Sequence, residues 1–265
     1  MGAVNGDLGY FGPDSVTWRV HSEPVAMVGG LRALLLQALH PDAVRLLAAR
    51  SDFRADPWSR FERTVGYVAT VCFAPTADVD AAAARVRGVH AALGVDDPEQ
   101  LAWVHACLVD SFLVAARAAG VRLSAADRDR YVREQVVAAE LAGVTEPATT
   151  SAELQQFMTQ LRPRLARTPE AREAARLVML LPLPVPRRFA LPARLGWTTI
   201  STLAVGLLPR WARSMYGLPP LPGASLTTAA GMRALRRAVR ALPEQYREGP
   251  MYREAKARAA ELAAS

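Results

Sequence analysis

Leu34-Leu35-Leu36-Gln37-Ala38-Leu39-His40-Pro41 opens the stretch whose reading decides the fold. It runs on through Ser51-Asp52-Phe53-Arg54-Ala55-Asp56-Pro57, Arg60-Phe61-Glu62-Arg63-Thr64 and Val86-Arg87-Gly88-Val89-His90-Ala91, and closes on Trp103-Val104-His105. Apolar residues recur here at three- and four-residue intervals, the period of a helix with one buried face. Leu31, Leu34, Leu35 and Leu39 form one such stripe, and Phe61, Val65, Val68 and Cys72 a second. Val79, Ala83, Val86 and His90 form a third, and Leu101, His105, Leu108, Phe112 and Ala115 a fourth. The punctuation agrees with the period. Asp56-Pro57 and Asp97-Pro98 each place a capping carboxylate before a proline that suits a first helical turn. Gly94 and Gly120 are suitable stops.

The same signals continue on both sides of this stretch. Upstream, a Gly-rich start gives way near Pro24 to the first expected helix, with Trp18 and Val20 ahead of it. Downstream, Ser124 with Asp127 caps a helix ending near Gly143. Thr150 with Glu153 has the pattern of a capping box for a helix to Leu165, and Thr168-Pro169 opens the next. Prolines recur between Leu181 and Pro192, which predicts an extended connector. Helices are expected over 193–206 and 209–216, and two basic amphipathic helices from about Thr227 and Tyr246 finish the chain. There is no run of period-two strands and no internal repeat. The expectation is an all-α protein: one globular multi-helix domain over residues 1–265, with 181–192 a Pro-rich connector to a C-terminal helical part.

Composition narrows the function classes. A chain of 265 residues that is 51% hydrophobic can bury a substantial core. Cys72 and Cys107 sit inside apolar patterns, so reduced buried thiols are expected rather than a disulfide scaffold. Residues 1–110 hold 9 Arg against 13 Asp and Glu, whereas 111–265 hold 22 Arg and 1 Lys against 12. A basic half can serve nucleic acid, anionic lipid or an acidic partner. With Lys256 the only lysine, a solvated arginine surface is the simpler reading. No helix-turn-helix signature accompanies it, so no nucleic-acid partner is expected. No secretory signal is visible, and a cytoplasmic location is expected. Phe189 to Leu208 is the longest apolar stretch. Its proline and dispersed polar residues predict packing on the core, with a peripheral membrane contact as the alternative to a span.

The motifs of several chemistries are missing. There is no His-Glu-x-x-His, Cys-x-x-Cys or repeated Glu-x-x-His, no Gly-x-Ser-x-Gly turn and no phosphate-cradling glycine loop. The histidines remain. Histidine is both the usual neutral nitrogen ligand of iron and the usual proton carrier near neutral pH. His21 lies near a loop and reads as a surface or capping residue. His40 precedes a proline and could cap a helix end. His90 and His105 lie on apolar stripes, where a hydrogen-bonded core histidine and a ligand are both open. Arg60, Arg63 and Thr64, at i, i+3 and i+4, share a helix face.

These segments together resemble the family of latex-clearing protein (rubber oxygenase) and the MpaB oxygenase. The resemblance also takes in Trp18-Arg19-Val20, Asp110-Ser111, Leu208-Pro209 and Tyr216-Gly217-Leu218-Pro219, and spans about Gly12 to Pro222. It implies an all-α protein that holds one haem b (iron protoporphyrin IX) non-covalently and uses dioxygen. It implies His90 as the proximal haem and iron ligand, with Arg60 and Thr64 on the distal side. Arg63 stands where rubber oxygenases carry a lysine. A guanidinium is a poor iron ligand, so Arg60 and Arg63 are expected to stabilise bound oxygen or pair with a propionate. His40 and His105 belong to the pattern, with distal acid–base work expected of His40 and a haem contact of His105. The function expected is a haem-dependent oxygenase acting on a small or medium apolar metabolite. The alternative is a haem or apolar-ligand binding protein without turnover.

Overall fold

The computed structural model describes residues 7–50, 55–218 and 223–264. Ser51 to Arg54 of the opening stretch, Pro219 of the late motif and Pro222 at the end of the resemblance lie outside the described residues. Fourteen α-helices make up the described fold, with no strand among the described residues. They are α1 (Val16–His21), α2 (Ala26–Gln37), α3 (Pro41–Arg50), α4 (Pro57–Phe73), α5 (Thr76–Leu93), α6 (Pro98–Ala118) and α7 (Ala125–Leu141). Then come α8 (Ser151–Leu161), α9 (Pro169–Met179), α10 (Ala190–Gly206), α11 (Arg210–Met215), α12 (Ala224–Arg240), α13 (Glu244–Arg247) and α14 (Pro250–Ala264). The chain is all-α, as its periodicity predicts.

The starts are set by side-chain caps. Asp56, Asp97, Ser124, Thr150 and Thr168 each accept a hydrogen bond from a backbone N–H in the first turn, satisfying one of the donors a helix start leaves free. At Ser124 the bond is reciprocated by Asp127, completing a capping box. At Thr150 the reciprocal bond to Glu153 is the weaker of two. The Glu153 carboxylate accepts chiefly from the backbone N–H and hydroxyl of Thr149.

The core is built on α2 lying against α6, with α10 crossing α2 and α7, α8 and α12 closing over the pair. Gly29 marks the closest approach. A Cβ there would come within 3.0 Å of Phe112 and 3.1 Å of the Ser111 carbonyl, so a larger residue would have to push α6 back by a few tenths of an ångström. Arg32, 3% exposed, is locked into this contact. It pairs with Asp110 at 2.8 Å and donates to the Ser111 hydroxyl and the Leu207 carbonyl, while Gln155 donates to Asp110. One buried charge cluster thus ties α2, α6, α8 and the end of α10. The helix α6 is the only one among the described residues long and apolar enough to cross a membrane, and it is this central core helix. A second cluster, Phe11, Trp18, Val71, Cys72, Phe73 and Val79, is covered by Ala255 and Tyr252 of α14. Both cysteines are buried free thiols.

Three local expectations are corrected. Trp18 and Val20 sit within α1, capped by Ser15, rather than ahead of the first helix. His21, read as a surface or capping residue, ends α1 and turns inward. Its ring packs 4.4 Å from the Phe112 ring, and its Nε2 lies 2.9 Å from the Tyr131 hydroxyl. The Pro-rich connector is also shorter than its prolines suggest. A 3-10 turn forms over Arg187–Phe189 and α10 begins at Ala190, since Pro192 falls in a first turn whose N–H groups need no helical partner. Phe189 to Leu208 is divided: Trp197, Ser201, Ala204 and Leu208 are buried, while Phe189, Leu191 and Leu195 are exposed.

Candidate active site on the α4–α5 hairpin

Helices α4 and α5 are joined only by Ala74 and Pro75, and they pack against each other along an antiparallel hairpin. A hairpin brings together residues equally distant from its turn. Arg60 lies fifteen residues before Pro75 and His90 fifteen after it. On the folded hairpin the charge of Arg60 is felt at the His90 ring. Burial, and then Arg60, hold the His90 imidazole below its ordinary pKa, against a smaller opposing pull from Asp96. The ring is therefore neutral at neutral pH. Its Nδ1 is buried and has no hydrogen-bond partner.

Arg60 is half-buried, and burial with the nearby charge of Arg63 lowers its pKa below the usual guanidinium value. It makes no ion pair among the described residues. Asp56, one turn earlier, caps the helix by accepting from the Ser59 N–H, and the arginine whose charge it feels is Arg63. Arg63 is exposed, on the solvent side of α4. Thr64 is half-buried and donates its hydroxyl to the Arg60 carbonyl at 3.1 Å, which leaves its lone pairs to accept.

Tyr67 was not singled out by the sequence, yet it belongs here. It stands seven residues after Arg60, so Arg60, Thr64 and Tyr67 follow one face of α4. The Tyr67 hydroxyl is buried without a partner, and burial raises its pKa against the opposing charge of Arg87. The signal lay in that spacing. Aromatic residues of this hairpin also meet α10: Phe61 packs edge-on to Trp197 at 5.5 Å, and Trp58 lies 6.4 Å from the same ring.

The other two histidines sit elsewhere. His40 is buried at the start of α3, where its Nδ1 accepts from the Ala43 N–H at 3.3 Å. Its Nε2 lies 3.8 Å from the Glu99 carboxylate, which Arg164 also engages. His105 lines a small cavity between α6, α7 and α8 with Val109, Val132, Glu146 and Phe157. Burial alone pushes its pKa down to about 4, with no contribution from Arg60. Arg60 and Thr64 thus lie on one arm of the hairpin and His90 on the other, Arg63 is exposed, and His40 and His105 have other neighbours. Among the described residues no three His, Cys, Asp or Glu side chains converge to hold an ion.

Residues 18–241 match the family described as ER-bound oxygenase mpaB/B'/rubber oxygenase, catalytic domain. The chain belongs to this family. The match covers the hairpin, the α2–α6 core and α10 to α12, so the candidate site lies within an oxygenase catalytic domain. No curated protein and no solved structure matches the chain.

Proposed function

We propose that the chain is a haem b-dependent oxygenase that uses dioxygen on a small or medium apolar metabolite, in the cytoplasm. The observation that carries this reading is the neutral His90 ring, its pKa lowered by burial and by the charge of Arg60, with Nδ1 buried and unpartnered. A buried polar atom without a partner is rare in a finished protein and calls for an explanation. The residues here fit a haem. One neutral imidazole suffices as protein ligand to haem iron. Phe61, Trp58 and Trp197 offer aromatic surface, and Arg60 is a half-buried cation able to meet a propionate or a developing anion.

Haem would supply the iron at which dioxygen is activated. His90 would hold it, and the depressed pKa keeps the ring in its ligating form to lower pH than an ordinary histidine. Arg60 would donate charge-assisted hydrogen bonds toward negative charge, about twice as strong as neutral ones. The Thr64 hydroxyl, already donating to its own helix, would accept from water or substrate. Tyr67 would add a donor on the same face. Arg63 would act at the rim, on a propionate or on solvent. His40, beside Glu99, and His105, in its own small cavity, would act away from Arg60.

The test is oxygen uptake by haem-loaded protein offered a panel of unsaturated apolar compounds. Uptake that consumes one of them, and that falls tenfold or more in Arg60→Ala, is the result expected from losing a hydrogen bond to charge worth roughly 1.5–3 kcal/mol. Tight haem binding without uptake on any compound would make the chain a binding protein instead.

A further inference from the structure

Between Ala174 and Pro243 the chain carries ten arginines and no aspartate or glutamate. The most exposed part of this stretch is also apolar. Leu180 is 68% exposed, Phe189 51%, Leu191 70% and Leu195 60%. Arg187, Arg188 and Arg194 lie among them, also exposed, and none makes an ion pair among the described residues. The guanidinium of Arg188 rests over the Phe189 ring, 4.9 Å from its centre. Single exposed leucines are ordinary, but four large apolar side chains within sixteen residues, interleaved with unpaired cations, are not.

We propose that this belt, residues 180–195, docks on an anionic lipid bilayer. Apolar side chains would enter the headgroup–acyl boundary while the arginines meet lipid phosphates, the arrangement of an in-plane membrane contact. Pro182, Pro184 and Pro186 hold the entering chain extended up to the 3-10 turn at Arg187–Phe189. A second copy of the chain is a poorer occupant. A two-fold contact would set the same patch against itself, bringing Arg187, Arg188 and Arg194 onto their own counterparts with no carboxylate to neutralise them. The belt is continuous with the candidate site, because Trp197, one turn further along α10, is buried against Phe61 and Trp58. On the oxygenase reading, an apolar substrate would reach the hairpin from the lipid phase. The docking itself does not depend on that reading.

The experiment is co-sedimentation with phosphatidylcholine vesicles, with and without phosphatidylserine. The wild type should pellet with the anionic vesicles, more weakly as salt rises. Arg187→Gln with Arg188→Gln should lower vesicle affinity on the order of twentyfold, about fivefold per arginine. Phe189→Glu with Leu191→Glu should abolish pelleting while circular dichroism stays unchanged, since these side chains are exposed. Equal pelleting of wild type and both variants, or none by the wild type, overturns the proposal. So does a concentration-dependent dimer that the Phe189→Glu, Leu191→Glu variant loses, which would give the belt to a second copy. A chain that binds vesicles but no haem would keep the docking and remove the oxygenase reading.

Discussion

His90 is the residue on which the chemistry turns. A neutral imidazole with one buried unpartnered nitrogen is either a ligand or a misfit, and substitution separates the two. His90→Ala should lose most bound haem while keeping its helical content, because Val86 and His90 lie on the half-buried edge of α5 rather than in the main core. Full haem occupancy and an unchanged spectrum in that variant would move the ligand to His105 or His40. Tyr67 gives a complementary case. Tyr67→Phe removes a hydroxyl that has no partner, so its effect on the denaturation midpoint should stay within about 0.5 kcal/mol. A loss of several kcal/mol would mean that the hydroxyl is satisfied in solution. Arg60 was visible from spacing as a member of a face. Its relation to His90 was not, because spacing within α4 says nothing of α5. Only the hairpin turn at Pro75 puts His90 opposite Arg60. His21 was misread for a similar reason: its partner Tyr131 is 110 residues away, beyond the reach of any local pattern.

At the scale of elements, helix starts were the most legible feature. Asp56, Asp97, Ser124, Thr150 and Thr168 announce themselves because a cap is a local bond between neighbours in sequence. Ser124→Ala should therefore lower stability by about 1 kcal/mol, read as a shift of the urea midpoint without change of slope. The six-residue α1 escaped because it is shorter than the window in which a helical period can be recognised. The start of α10 escaped because its prolines read as connector. The α4–α5 hairpin carries the candidate site because a two-residue link fixes its two helices side by side, which a longer loop would not.

The whole molecule rests on the α2–α6 contact and on the buried ion pair that pins it. Asp110→Ala would leave Arg32 charged, buried and unpaired, which typically destabilises by 3–5 kcal/mol. Thermal unfolding should show a drop of many degrees, whereas a change of a degree or two would mean that water reaches Arg32. Burial also fixes the pH response. His21 is held down to about 3 and His105 to about 4, both by desolvation, and His90 is lowered as well. Above the ordinary histidine pKa both folded and unfolded chains are neutral at these sites, so stability is fully present there. As pH falls below that value the unfolded chain takes up protons the folded chain refuses, and stability declines down to the folded values. At pH 4.5 the loss should approach about 2.5 kcal/mol for each deeply buried histidine. His21→Phe, which keeps an aromatic ring against Phe112, should flatten that slope.

The central claim, a haem held by His90 beside Arg60, is tested most directly by the absorption spectrum of protein expressed with adequate haem supply. A Soret band that shifts when carbon monoxide is added after reduction, and that His90→Ala abolishes, is the result predicted. A wild-type chain that folds, stays helical and shows no Soret band even after added haemin would contradict it.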